Sequence, residues 1–136
     1  MNKLFALVLI GTLFIVSCGD DDDTNGLSLV GTTWTEVSST SQGCDDPADN
    51  GTDTCTSGCE KFIFNADGTV SFPGGEEEGV VVTYKVSGST ITITIIDVEF
   101  GSFTTSAQFT IVGDLLTITS EDDFDGCTSI DVYKGA

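Results

Sequence analysis

The 136-residue chain contains no histidine and no arginine, and its basic side chains are four lysines. Histidine is the commonest general base and transition-metal ligand, and arginine is the usual bidentate partner of carboxylates and phosphates. Most catalytic routes are therefore closed. The acidic residues fall in loops or at strand edges, so no buried pair is expected for the acid–base chemistry of glycosidases. We expect no enzyme, no cofactor and no metal site.

Positive charge is scarce, whereas 22 acidic residues give a net charge of −18. Affinity for nucleic acid depends on Lys and Arg neutralising phosphates, so nucleic acid is excluded as a partner. The densest acidic groups lie at residues 45–53, 76–78 and 121–125. Calcium takes carboxylate oxygens from loops, so residues 49–53 or 123–126 could contribute ligands. Neither segment matches the spaced Asp-x-Asp-x-Asp-Gly loop with a distal Glu, and solvated surface acid is the favoured interpretation.

The one long apolar run, residues 4–16, stands at the start of the chain behind a single lysine. It is shorter than the roughly 20 residues that a membrane-spanning helix needs, but it suits the apolar region of a secretory signal. Val16 and Ser17 before Cys18 resemble the lipobox of bacterial lipoproteins, where the cysteine becomes acylated after cleavage. The alternative is an ordinary secretory signal ending near a cysteine. The apolar run predicts a signal peptide over residues 1–17, and the resemblance to a lipobox implies lipid attachment, by palmitate or a similar chain, at Cys18.

Four consecutive aspartates, residues 20–23, follow almost directly. Such a block repels itself and predicts a solvated tether, which we place at residues 18–28. An acidic run at this position also resembles the address that sends some Gram-negative lipoproteins to the outer face of the outer membrane. The resemblance implies a lipid-anchored, surface-exposed protein. Its partners would be the membrane through the anchor and an envelope or extracellular protein.

The remaining cysteines are Cys44, Cys55, Cys59 and Cys127. Four cysteines in an exported domain predict two disulfides. The spacing between Cys55 and Cys59 would also suit a metal site, but no second paired motif or histidine supports one. Of the three pairings, we expect Cys44 with Cys55, closing a polar loop on itself, and Cys59 with Cys127.

Residues 29–136 are predicted to form one all-β domain, because short strands recur about every ten residues without an amphipathic helix. The clearest strand is 90–95, where Ile and Thr alternate strictly. Residues 39–58, rich in Ser, Thr, Asp and Gly, are predicted as a loop. The other predicted strands are 32–38, 60–64, 69–72, 80–86, 103–112, 115–120 and 128–134. This spacing favours an up-and-down barrel or a sandwich.

The segments LVGTTW, FIFNADGTV, TYKVSG and LLTIT follow one another at residues 29–34, 62–70, 83–88 and 115–119. In this order they resemble the small lipocalin-like domains of bacterial lipoproteins. The resemblance implies an antiparallel up-and-down β-barrel of about eight strands that binds a small apolar molecule. Inward-facing candidates for the lining of such a cavity are Phe62, Phe64, Tyr84, Ile93 and Phe109.

The sequence also departs from lipocalins, which begin their first strand with Gly-x-Trp and commonly stack a late arginine on that tryptophan. Here two residues separate Gly31 from Trp34, and arginine is missing. Trp34 is therefore expected to be a core residue rather than part of a ligand site.

These patterns predict a membrane-anchored lipoprotein whose β-barrel binds a small apolar ligand or a partner at the cell envelope. The alternative is a structural or protein-interaction lipoprotein with a packed barrel and no small ligand. The number of phenylalanines at inward positions favours a filled interior.

Overall fold

A computed structural model describes residues 28–75, 78–121 and 125–136. The predicted signal peptide, Cys18 and the acidic tether as far as residue 27 lie outside the described residues. The same holds for Glu76 and Glu77 of the second acidic group and for Asp122 and Asp123 of the third. No helix among the described residues is long and apolar enough to span a membrane.

Nine antiparallel strands and one short 3-10 helix make up the described part of the chain. The strands are β1 (Thr33–Gln42), β2 (Gly51–Thr54), β3 (Lys61–Phe64), β4 (Val70–Ser71), β5 (Val80–Ser87), β6 (Thr90–Asp97), β7 (Gly101–Val112), β8 (Leu115–Glu121) and β9 (Thr128–Gly135). The 3-10 helix, Pro47–Asp49, begins behind Asp46, whose carboxylate accepts a hydrogen bond from the amide of Ala48. The prediction of an all-β antiparallel domain is confirmed.

The strands form one sheet in the order β4-β3-β1-β9-β8-β7-β6-β5, with β2 paired to β1 beyond β3. Strands β5 to β9 follow one another as a meander, and β1 lies beside β9. The two ends of this path, β4 and β5, meet only at an isolated bridge between Thr69 and Thr83. Within the described ranges the sheet is thus open along the seam between β4 and β5, and the expected closed barrel is not observed.

The prediction that residues 39–58 form a loop is partly wrong, because β1 continues to Gln42 and β2 lies within this segment. All four residues of β2 are exposed. No apolar alternation could therefore mark the strand. Its support is the backbone ladder to β1 and a 3.0 Å hydrogen bond between the hydroxyls of Thr40 and Thr52.

The core is concentrated at one end of the sheet, which we call the packed end. The side chains of Trp34, Phe64, Ile91 and Leu116 are almost completely buried there. The indole Nε1 of Trp34 donates a 3.1 Å hydrogen bond to the carbonyl of Leu29, so this polar group is satisfied in the core. Trp34 is a core residue, as its sequence context predicts.

The opposite end of the sheet, which we call the open end, contains the β6–β7 turn, the beginnings of β5 and β9 and the end of β1.

Two disulfides occur among the described residues, as predicted, but their pairing differs from the prediction. Cys44 is bonded to Cys127 and Cys55 to Cys59. The ladder places Gln42 opposite Thr128, which brings Cys44 and Cys127 together at the open end. The extension of β1 and its pairing to β9 explain why the expected pairing failed.

Candidate functional site

The side chains on the inner face of β5, β6 and β7 become more exposed from the packed end to the open end. Ile91 and Ala107 face each other in the core, whereas Ile95 and Phe103 form the equivalent pair near the open end. Exposure rises along this face from 0% at Ile91 to 37% at Ile95 and 64% at Phe103. The strict alternation continues, but no opposing strand among the described residues covers its last apolar positions.

A cleft of about 750 Å³ occupies the space where β4 and β5 separate. It is bounded by the start of β3, by β4 and the residues after it, by the start of β5 and by the end of β6. Its lining residues are Cys59, Glu60, Lys61, Thr69, Val70, Ser71, Phe72, Pro73, Gly75, Val80, Val81, Val82, Ile95 and Asp97. Small-molecule sites in proteins commonly have volumes of roughly 300–1,000 Å³, so the cleft has the size of a ligand site.

The lining combines apolar walls with a few polar groups. Val70 and Phe72 lie on the β4 side, and Val82 and Ile95 lie on the β5–β6 side. Val82 and Ile95 are partners across the β5–β6 ladder and therefore share one face. Asp97, also in the lining, has a carboxylate oxygen that accepts hydrogen bonds from the amides of Glu99 and Phe100, at 2.7 and 3.0 Å. The surface suits an apolar molecule with a small polar end.

The packed side of the cleft is held by contacts from Tyr84 to the β3–β4 turn. The phenol donates a 2.7 Å hydrogen bond to the carbonyl of Asn65, and the Tyr84 amide donates to the carbonyl of Gly68 at 2.8 Å. Gly68 has a φ of +87°, which glycine tolerates better than other residues. Burial raises the pKa of Tyr84, and the nearby Asp67 carboxylate raises it further. The phenol therefore stays protonated and able to donate at neutral pH.

Asp67 stabilises the same turn from outside. Its Oδ1 accepts hydrogen bonds from the hydroxyl and the amide of Thr69, at 2.6 and 3.0 Å. These bonds favour the ionised carboxylate and lower its pKa, the hydroxyl being the larger cause. The turn that fixes one edge of the cleft is thus preorganised by the sequence Asn-Ala-Asp-Gly-Thr.

The five residues predicted to line a ligand cavity lie outside the lining of this cleft. Phe62 and Phe64 are buried in the core, and Tyr84, Ile93 and Phe109 are half-buried against it. The rings of Phe62, Phe64 and Tyr84 and the ring of a further tyrosine are in edge-to-face contact, with centroids of the contacting pairs 4.7–5.1 Å apart. These side chains fill the space near the packed end, and their role in binding stays a prediction.

That further tyrosine, Tyr133, packs on Phe62 at a centroid distance of 4.8 Å. Burial raises its pKa well above the ordinary range, and the carboxylates of Asp131, Glu36 and Glu60 add to the shift. The phenol of Tyr133, half-buried against the core, therefore stays neutral near neutral pH and has no acid–base role there.

The residues that line the cleft were not predicted to form a ligand site, although the strands 69–72, 80–86 and 90–95 that carry most of them were predicted. Alternation identifies the face of a strand but not the point at which the opposite side of a sheet stops covering it. The described members of the three acidic groups are exposed. The carboxylate of Asp46 caps the 3-10 helix, and the amide of Asp45 donates a hydrogen bond to the carbonyl of Asp125. Across residues 28–75, 78–121 and 125–136, no three Cys, Asp or Glu side chains are grouped as a metal site would require.

Comparison of the chain with protein-family models, with curated proteins and with solved structures finds no match. The geometry of the cleft and the residues of the chain are therefore the basis for a functional proposal.

Proposed function

We propose that the protein is a non-enzymatic lipoprotein of the bacterial outer membrane, anchored through Cys18 and exposed at the cell surface, that binds a small apolar ligand in the cleft. The observation that carries the ligand proposal is the position of the cleft. Apolar side chains of β4, β5 and β6 face a space of about 750 Å³ that the domain leaves unfilled. Buried apolar area is the main source of affinity for such ligands.

The fold that we propose is a lipocalin-like barrel left open along one seam. Support comes from the strand order, in which sequence neighbours are sheet neighbours from β5 to β9 and β1 lies beside β9. An up-and-down barrel has the same first-to-last pairing. The interruption falls between β4 and β5, at the place where the cleft lies.

The direction in which the chain enters the domain supports a cleft that faces away from the anchor. Trp34, at the start of β1, is paired with Gly135 at the packed end. Val80 and Asp97, which line the cleft, are paired with each other at the open end. A tether entering at the packed end would leave the open end accessible to molecules outside the membrane.

Binding in the cleft can be tested with two neighbouring substitutions. Ile95 lines the cleft, whereas Ile96 points to the opposite face and is similarly exposed, 43% against 37%. Ile95→Trp fills the cleft, and Ile96→Trp adds the same bulk elsewhere. The probe is N-phenyl-1-naphthylamine, a neutral apolar fluorophore. We expect the unmodified protein and Ile96→Trp to bind it and Ile95→Trp to lose most of that binding.

Native mass spectrometry of the protein purified from its own envelope would then show whether a small molecule accompanies it. Equal probe binding by the two tryptophan variants would refute the cleft as the site. Absence of both probe binding and a co-purified molecule would favour the alternative, an interaction or structural lipoprotein without a small ligand.

The anchor has its own test. Cells fed a labelled palmitate analogue should label the unmodified protein, and Cys18→Ala should abolish the label. Replacement of residues 20–23 by serine should reduce the fraction that external protease can digest on intact cells. Labelling that persists in Cys18→Ala would refute the anchor, and unchanged digestion would refute the acidic address.

A further inference from the structure

The turn between β6 and β7 presents three large apolar side chains to solvent. Val98 is 79% exposed and Phe100 is 88% exposed, and Phe103 follows at the start of β7. We call Val98, Phe100 and Phe103 the apolar tip. Apolar side chains grouped in this way on a soluble surface commonly mark interaction sites. Aromatic residues, including Phe, are enriched in the cores of protein interfaces.

The apolar tip is held in a defined conformation. Asp97 accepts hydrogen bonds from the amides of Glu99 and Phe100, so its side chain closes the turn. The amide of Val98 donates a 3.1 Å hydrogen bond to the carbonyl of Gly79, which ties the turn to the segment before β5. A Cβ on Gly79 would lie 2.7 Å from Cγ2 of Val98, so these two segments are in close contact. A preorganised apolar surface loses less entropy on binding than a flexible one.

The charges at the end of the sheet that carries the apolar tip are mostly negative. Acidic residues at the open end include Asp45, Glu78, Asp97, Glu99, Glu121 and Asp125, and Glu60 lines the cleft together with Asp97. The lysines among the described residues are Lys61, which lines the cleft together with Asp97, Lys85, which lies five positions along β5 from Val80 at the open end, and Lys134, whose Nζ lies 3.5 Å from Asp114. Like charges disfavour pairing with a second copy of this chain. They also disfavour contact with anionic lipid.

We propose that the apolar tip is a docking surface for a basic polypeptide that carries apolar side chains between its positive charges. The apolar side chains of the partner would cover Phe100 and Val98, and its basic groups would lie against the surrounding carboxylates. Charge complementarity selects this partner over a second copy or a lipid surface. The proposal does not depend on the cleft holding a ligand. Its outward orientation rests on the proposed anchor at Cys18.

A fluorescence experiment can separate these occupants. The chain has one tryptophan, Trp34, and it is completely buried. Phe100→Trp therefore adds an exposed reporter at the apolar tip. The acylated protein would be studied in phosphatidylcholine nanodiscs with an alternating Lys-Leu peptide as the probe. We expect a solvent-exposed emission spectrum without peptide and a blue shift when the peptide binds.

Affinity variants give the decisive comparison. A double substitution, Val98→Ser with Phe100→Ser, should weaken peptide binding about tenfold or more, since hot-spot residues have effects of this size. Val112→Ser removes a similarly exposed apolar side chain at the packed end and should leave binding unchanged. Glu99→Gln and added salt should both weaken binding, because surface charges are screened. A peptide with Gln in place of Lys should bind much more weakly.

Three outcomes would overturn the proposal. Quenching of Phe100→Trp by brominated lipid without peptide would assign the apolar tip to the membrane. A blue shift that grows with protein concentration alone would assign it to a second copy. Equal peptide binding by the double variant and Val112→Ser would show that the peptide binds the acidic surface without using the apolar tip.

Discussion

The packed end and the open end of this domain are built from the same alternating strands but are stabilised differently. At the packed end, Trp34, Phe64, Ile91 and Leu116 are removed from water and account for most of the tightly packed core. At the open end the same faces carry half-exposed apolar residues, and Cys44–Cys127 joins the strands covalently. The comparison indicates that hydrophobic burial maintains one end while a disulfide maintains the other. The second arrangement leaves apolar surface available for binding.

The largest expected difference between the ends concerns their aromatic residues. Trp34→Ala should lower the free energy of unfolding by about 3–5 kcal/mol, because it leaves a cavity in the core. Phe103→Ser should change it by less than about 0.5 kcal/mol, because that side chain is mostly exposed. Urea unfolding followed by circular dichroism measures both. Leu116→Ala serves in place of Trp34→Ala if that variant does not fold. Similar losses for Phe103→Ser and the core variant would contradict the division into two ends.

Removal of a disulfide should have the second-largest effect on the free energy of unfolding. Cys44–Cys127 spans 83 positions of the chain and Cys55–Cys59 spans four. Closing a longer loop restricts the unfolded chain more, so replacing Cys44 and Cys127 by serine should cost about 2–4 kcal/mol. The same change at Cys55 and Cys59 should cost about 2 kcal/mol or less. Peptide mapping of the oxidised protein would check the pairing first. An equal or reversed ranking of the two double variants would argue against the first disulfide as the support of the open end.

Much of the packed end could be predicted from the sequence, because there period-two alternation coincides with burial. The Ile/Thr alternation in β6 and the burial of Trp34 are examples. The strand β2 could not be predicted from the sequence, because its side chains are all exposed and only backbone pairing to β1 defines it. The register that extends β1 along β9 was missed as well, and with it the pairing of Cys44 to Cys127.

The candidate site shows the same limit. Alternation assigns Ile91, Ile93 and Ile95 to one face, but it does not tell which of them faces a core and which faces a cleft. That distinction depends on where β4 ends and the opposite edge of the sheet diverges, which is a property of the tertiary structure. The exposure of Phe100 could not be predicted for a related reason, because the local sequence does not indicate whether another element covers a turn.

Tyr84 lies at the boundary between the two ends, and its substitution should have a smaller effect. Tyr84→Phe removes the hydrogen bond from the phenol to Asn65 and should cost about 1 kcal/mol. The seam beside the bridge from Thr69 to Thr83 should loosen, so amide hydrogen exchange at Tyr84 should accelerate. Tyr133→Phe is the matched control, because it removes the phenol of a second half-buried tyrosine, one that packs on Phe62. Unchanged exchange at Tyr84 in the Tyr84→Phe variant would show that this contact does not hold the seam.

The smallest effect is expected at Asp67, which stabilises the turn that Tyr84 contacts. Its pKa is lower in the folded protein than the ordinary value of 3.8. The unfolded chain therefore binds a proton more readily, and the contribution of Asp67 to stability is present above pH 3.8 and is lost as the pH falls below it. Asp67→Asn should make the acid limb of the stability profile slightly shallower, whereas Thr69→Val, which keeps the amide donor, should do so only in part. The free energy of unfolding, measured across acidic pH at constant ionic strength, tests whether Asp67→Asn has a larger effect than Thr69→Val. An acid limb in Asp67→Asn identical to that of the unmodified protein would mean that the ionised carboxylate does not stabilise this edge of the seam.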